Sequence, residues 1–423
     1  MTRNTFEEFP IAPVFLGRHG RDGNPAALAQ RGPRCPGHPC LGSGSKDADA
    51  RVKPGVKPSH DGGNAASRRD VLRASVAIFA SGVLPGTGGF TQHARAQAVT
   101  VEPAAITPAL VQAAGKEGKL AFYTAMDLPV AEKFGKAFEA RYPGISVRVE
   151  RSGAERVFQR IGQERESRIH AVDVVNSADA AHFIVWKRNG WLDSYLPEEV
   201  ARHYPAAFYD PDGLWVTTRV WLSSLGYNTN LVRPEDAPKS FADLLDTKWT
   251  GRMVKAHPAY SGTIMTATFQ IVRELGWGYL ENLAKQKVLQ VQSSTDPPKK
   301  LALGERAVMA DGNDYNLIQL KEAGQAVEVV YPAEGTPLVA GPSAIFKSAP
   351  NPNAARLFQN WLHSLEAQQL LVDFARQHSV HPQVREKPGA RKLNDIKTWK
   401  DDPAGVEKAS EEIKARYAQL FKV

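Results

Sequence analysis

Between residues 107 and 190 the apolar positions switch repeatedly between a period near four and a period near two. Leu110 to Gly118 has the pattern of a short helix ending at glycine, and "KLAFYT" at 119–124 that of a strand. From Leu128 to Tyr142 the apolar residues Val130, Phe134, Phe138 and Tyr142 recur every four positions, and Pro143-Gly144 stops the helix. "ISVRVE" at 145–150 alternates as a strand, and Ala154 to Ser167 carries Val157, Phe158 and Ile161 on one helical face. "VDVV" at 172–175 and a helix from Asp179 to Asn189 complete a βαβαβ run. That order predicts a parallel sheet flanked by helices, with ligands received at the C-terminal ends of the strands.

A second α/β set follows. "WLSSLGYNTNLV" at 221–232 is strand-like, "SFADLLD" at 240–246 opens a helix, and "GRMVKAHP" at 251–258 is a strand leading to a helix that starts near Ser261. "AVMADG" at 307–312 and "AVEVVYP" at 326–332 read as further strands. Asn353 to Phe374 reads as one long amphipathic helix, with Leu357, Phe358, Trp361, Leu362, Leu365 and Leu370 on its core face, and 403–421 as a last helix. No internal repeat and no apolar stretch of bilayer length interrupts these sets.

The first 98 residues have a different pattern. Residues 17–66 are rich in Gly, Pro, Ala, Ser, His and charge, with no helical or strand period, so residues 1–66 are expected to be disordered or foreign to the natural product. Residues 67–98 carry the three parts of an export signal. These are a basic front with Arg68-Arg69, an apolar run of 11 residues from Ala74 to Leu84, and two overlapping A-x-A patterns ending at Ala96 and Ala98. Ser-Arg-Arg-Asp-Val-Leu-Arg resembles the twin-arginine motif, with Val71 and Arg73 departing from its usual Phe and Lys. The reading is a periplasmic protein cleaved near Ala96 or Ala98. A signal works near an N-terminus, so the expected translation start lies downstream of Met1, with Val52 or Val56 as alternative start codons.

That leader changes how the charge is read. The whole chain has a formal charge of +8, but residues 1–98 hold 13 Lys and Arg against 7 Asp and Glu, leaving 40 against 38 in residues 99–423. The near balance after residue 98 argues against a nucleic-acid partner. Both cysteines, Cys35 and Cys40, lie in the leader, so a mature chain has neither disulfide nor thiol chemistry, and no second pair completes a zinc site. There is no G-x-S-x-G, H-E-x-x-H or Walker A motif, and no G-x-G-x-x-G after a strand. His170, His257 and His381 are scattered without metal spacing. These absences argue against an enzyme.

The loops after the first three strands hold Thr124 and Asp127, Ser152-Gly153, and Ser177 with Asp179. Such small and polar residues serve either as ligand contacts or as ordinary helix N-caps. Ser261-Gly262-Thr263 sits at a strand-to-helix turn, where a glycine lets a ligand approach and a helix N-terminus offers free N–H groups to an anion.

Several stretches, among them "AAGKEGKLAFYT", "FEARYPGISVRVERSGAERVFQRI", "SFADLLDTKWTGRMVKAHPAYSGT", "GERAVMADGNDYNLIQLKEAGQAVEVVYPAEGTP" and "APNPNAARLFQNWLHSLEAQQLL", resemble the periplasmic solute-binding proteins of ABC importers, in the group that includes ferric-iron-binding proteins. The resemblance runs from about Leu110 to Phe374. It implies a two-lobe α/β periplasmic-binding-protein fold of type II, hinged on two crossing strands near 221–228 and 327–345. Lobe I would be residues 99–222 and 338–385, lobe II residues 223–337, and 386–423 a C-terminal helical segment. It also implies a monomer that holds a small solute, with no cofactor, and hands it to an inner-membrane ABC permease. Arg219, just before the first crossing, would pair with a carboxylate or phosphate. Iron-binding members use two adjacent tyrosines, because Fe(III) favours anionic oxygen ligands. The matching stretch here is Asp314-Tyr315-Asn316, so the second tyrosine is missing. The expected cargo is therefore an anionic organic solute. Fe(III) is the alternative, held by Tyr315 with Asp127 or Asp179.

Overall fold

The computed structural model of the chain describes residues 101–423. The expected extension at 1–66, the export signal at 67–98 and its cleavage sites lie outside the described residues. From Val101 the chain forms a two-residue strand β1 (Pro103–Ala104), helix α1 (Pro108–Glu117), β2 (Lys119–Thr124), α2 (Leu128–Arg141), β3 (Ser146–Arg151), α3 (Ala154–Glu166), β4 (Val174–Asn176) and α4 (Ala181–Arg188). Helix α1 ends at Gly118 with φ 67°, a left-handed C-cap that favours glycine. β5 (Leu196–Pro197) pairs with β1, and α5 (Glu198–His203) follows.

β6 (Val216–Leu222) completes the first part of the molecule, and β7 (Leu225–Asn228) begins the second. There follow β8 (Met253–Ala256), α6 (Gly262–Leu275), α7 (Trp277–Lys285), β9 (Leu289–Val291), α8 (Asp296–Ala302), β10 (Val308–Met309), α9 (Asp314–Glu322) and β11 (Val327–Val330). β12 (Leu338–Ile345) returns to the first sheet, with α10 (Pro352–Leu362), α11 (Leu365–Leu370) and α12 (Pro403–Phe421) after it. None of the described helices is long and apolar enough to cross a membrane.

The strands form two five-stranded sheets, ordered β3-β2-β4-β12-β6 and β11-β7-β10-β8-β9. Each has a parallel part, β3-β2-β4 or β10-β8-β9, extended by two antiparallel strands. The sheets are therefore mixed, where the first reading expected a parallel one. The antiparallel additions are the strands that cross between the sheets. The chain leaves the first sheet after Leu222 and enters the second at Leu225, and it returns between Val330 and Leu338. Leu222 pairs with Leu338 and Leu225 with Val330, so the two crossings run side by side.

The inner strands of each sheet, such as β2, β4, β7, β8 and β10, are buried almost throughout, while the edge strands β3 and β9 are only partly covered. In β2, Leu120 and Phe122 enter a core with Phe134, Phe138, Phe358 and Trp361, while Ala121 and Tyr123 face Phe183, Trp186 and Phe346. The second sheet packs Val308 and Met253 against Phe241, Trp249 and Leu280 on one side, and Val254 and Met309 against Leu301 and Leu317 on the other.

Three elements differ from the sequence reading. The strand at 221–232 is cut at Ser223-Ser224, where the backbone turns to bond Pro337 O and Gly312 O across the hinge. It also starts earlier, at Val216, in a run of seven buried residues that shows no alternation. The segment 240–246 forms only a 3₁₀ turn, Ala242–Leu245, with the Glu334 carboxylate accepting from the N–H groups of Phe241 and Ala242. The helix expected over 353–374 breaks at His363. Ser364 is extended and caps the next helix through Ala367 N, and the last turn, Leu371–Ala375, is a π-helix.

Candidate functional site

The parallel strands β2, β3 and β4 end on the same side as the N-terminus of α6, and a cavity of about 150 Å³ lies between them. Its walls come from both sheets. Ala125, Asp127, Arg151, Gly153, Ala154 and Ala178 follow the first three strands, and Arg219 and Trp221 sit on β6 at the hinge. Facing them are Tyr260 to Thr263 at the start of α6, Gln292 to Asp296 after β9, and Asn313 and Tyr315 at the start of α9.

Arg219 is the most unusual group here. Its side chain is buried, 1% exposed, in a strand buried along its whole length that also carries Thr217 and Thr218. The guanidinium lies 4.6 Å from the Trp221 ring centroid. Nε donates to Asn176 Oδ1 at 3.2 Å and Nη1 to Gln377 Oε1 at 3.5 Å, while Nη2 is buried with no hydrogen-bond partner among the described residues. Burial lowers its pKa, opposed by the nearby Tyr315 and Asp127. Space for the side chain comes from Gly341 on β12, beside a register shift at Gly341-Pro342. A Cβ there would lie 2.8 Å from the Trp221 ring and 3.1 Å from Arg219 Cγ. A buried cation without a carboxylate partner is costly, and this one stands at the wall of the cavity.

The start of α6 faces the same space. Ser261 is the N-cap, and its Oγ accepts from Ile264 N at 3.4 Å. Gly262 and Thr263, which open this 14-residue helix at its positive end, line the cavity. Arg151 and Arg156 add positive charge, with Arg156 Nη2 donating to Gln292 Oε1 at 2.9 Å across the cleft. Asp127 and Asp296 are the acids of the lining. Asp127 accepts from Asn316 Nδ2 at 2.8 Å and from the Tyr315 hydroxyl at 3.5 Å, so these contacts also join the two lobes.

Tyr315 is buried, and burial together with the Asp127 charge raises its pKa well above the ordinary value. It is a neutral phenol that accepts from Asn313 Nδ2 at 3.0 Å. Among the described residues no three His, Cys, Asp or Glu side chains gather where they could hold a metal ion.

Of the residues singled out from the sequence, Asp127, Gly153, Arg219, Ser261, Gly262, Thr263 and Tyr315 line the cavity. The other four do not. Thr124 Oγ1 is buried and accepts from Met126 N. Ser152 is fixed through its N–H to Thr124 O. Ser177 Oγ sits 3.3 Å from His182 Nδ1 and takes Asp179 N, and Asp179 accepts from Ala181 N at the start of α4. Thr124, Ser177 and Asp179 thus make local turn bonds, and Ser152 joins the ends of β2 and β3. Arg151, Arg156, Trp221, Tyr260, Asn313 and 292–296 were not singled out. The two arginines flank Ser152-Gly153, and 292–296 follows a strand too short to show a pattern. Basic residues beside a strand-end glycine were the available signal.

In fold, the chain is similar to the periplasmic binding protein AfuA from Actinobacillus pleuropneumoniae, solved with fructose-6-phosphate bound. The two share 24% identity over 73% of this chain and 99% of AfuA, with a TM-score of 0.66. Iron-bound HitA from Pseudomonas aeruginosa is 22% identical over 71% of this chain and 99% of its own, with a TM-score of 0.62. In sequence, an uncharacterized protein of Haemophilus influenzae is 26% identical over 269 residues, 61% of this chain and 76% of that one. These likenesses carry the two-lobed type II binding-protein fold. The model of one family, the bacterial extracellular solute-binding proteins, matches residues 120–374, more than half of the sequence and both sheets, and the chain belongs to that family.

Proposed function

We propose that this protein is the periplasmic component of an ABC importer and takes an anionic organic solute, a phosphate monoester or a carboxylate, into the cleft between its lobes for delivery to an inner-membrane permease. One observation carries the choice of an anion: the buried Arg219 guanidinium with an unpartnered Nη2 at the cavity wall. The N-terminus of α6 at Gly262 and Thr263 supplies a second anion contact of a different kind. The solute's acid group bridges these two, and its remaining polar atoms face Arg151, Arg156, Asn313 and Asp127.

Fe(III) as cargo fits less well. Asn316 stands where iron-binding relatives have a second tyrosine, which removes one of the anionic oxygens that Fe(III) favours. Arg219 beside Tyr315 would also repel a trivalent cation.

The test is calorimetric titration with fructose 6-phosphate, glycerol 3-phosphate and citrate, against wild type and Arg219→Gln. Charge-assisted bonds of this kind are worth about 2–3 kcal/mol, so the variant is expected to bind roughly 30- to 150-fold more weakly. Equal affinities in the two proteins would overturn the anion site.

A further inference from the structure

Helix α12 lies beyond residues 120–374, the span of the family match, and lines no part of the cavity, yet it touches both walls of the cleft. On the second lobe its hold is extensive. The Arg416 guanidinium stands 4.2 Å from the Trp277 ring centroid and Nη2 is 3.0 Å from Glu281. Tyr417 is fully buried, and its hydroxyl donates to Gln290 Oε1 at 2.8 Å on β9. Trp399, just before the helix, stacks on Phe241.

On the first lobe α12 packs along α4 and adds two ion pairs. Glu407 pairs with Arg188 of α4 at 3.1 Å, and Lys414 Nζ lies 3.5 Å from Glu155 in the first turn of α3. Ala181 of α4 joins Val406, Ile413 and Met265 of α6 in one apolar cluster. The helices that α12 spans are those whose N-terminal ends form the cleft: α3 and α4 behind Gly153 and Ala178, and α6 at Gly262. Opening at the hinge draws α3 and α4 away from α6, so α12 must release one side. The first-lobe attachment, α4 packing and two partly exposed ion pairs, is the smaller, since the second lobe holds α12 through α6, α7, the buried Tyr417 and the Trp399 stack.

We infer that α12 is a latch. It travels with the second lobe, docks on α3 and α4 when the cleft closes, and sets the open–closed balance independently of what the cavity holds. Charge-reversed Glu407→Arg with Lys414→Glu removes both ion pairs and faces Arg188 and Glu155 with like charges. Arg188→Glu in the same protein restores one pair with its polarity exchanged.

The experiment is electron–electron distance measurement without solute, on the full chain carrying Cys35→Ser and Cys40→Ser. Spin labels sit at the exposed Lys136→Cys in the first lobe and Glu235→Cys in the second. The wild-type background is expected to show a closed population. The reversed variant should reduce its closed-to-open ratio at least threefold, and the exchanged pair should recover part of it. A distribution unmoved by the reversal, a reversal not relieved by Arg188→Glu, or a background with no closed population would each overturn the latch. The readout uses no solute, so a protein that failed to bind phosphate monoesters would leave this result standing and sink only the anion proposal.

Discussion

At Gly262 the absence of a side chain allows the two lobes to meet. A Cβ there would fall 2.6 Å from Asp179 Cβ and 3.0 Å from Ala154 Cβ, both on the opposite wall. Asp179 is held in place by its bond to Ala181 N, so it cannot simply turn aside. Gly262→Ala is therefore expected to hold the cleft slightly open. It should weaken fructose 6-phosphate binding about tenfold by calorimetry, against a thermal midpoint without solute that moves little, since alanine favours the helix that begins there. A midpoint that falls with unchanged affinity would mean the contact matters for folding alone. Single residues also show what was legible. Ser261-Gly262-Thr263 announces itself as a cap followed by glycine, and Arg219 by its place just before the first crossing. Ser177 and Asp179 have the same composition as a ligand loop but spend their polar atoms on local turns, and no sequence pattern separates the two uses. Arg156 reaches the cavity by the length of its side chain, which is invisible without the fold.

The elements were legible wherever local pattern and tertiary role agree. β2 and α6 begin within a residue of their expected places because a capping or glycine signal coincides with a change of period. The long helix at 353–374 was misread because its apolar stripe continues across a break that only the core explains. His363 ends α10 there, fully buried, with Nδ1 2.7 Å from Gln359 O and Nε2 3.2 Å from Thr218 Oγ1 on β6. Burial pushes its imidazole down to about 4, against an ordinary value of 6.5. The folded protein thus resists a proton that the unfolded chain accepts below pH 6.5. Stability from this group is complete above that pH and is lost as pH falls toward 4, by about 3 kcal/mol in all. The stability difference between wild type and His363→Asn, from urea unfolding at pH 7 and pH 4, is expected to shrink by that order. A difference constant across this range would mean His363 is protonated in the folded state.

Over the whole molecule, the two sheets, the paired crossings and the cavity between the sheets form one arrangement. The alternation of strands and helices in sequence gives two α/β units. It does not reveal that β6 and β12, distant in sequence, pair through Leu222 and Leu338 to make the hinge. Nor does it show that residues beyond 400 return to clasp both lobes, because that contact depends on where two separately folded sheets come to lie. The central claim is that this cleft was built around a buried cation and so receives an organic anion. The most direct test is native mass spectrometry of the exported protein, purified without chelator. The account predicts an added mass matching a small organic acid or phosphate ester, retained by wild type and lost in Arg219→Gln. An added mass of iron, abolished by Tyr315→Phe and indifferent to Arg219, would contradict it.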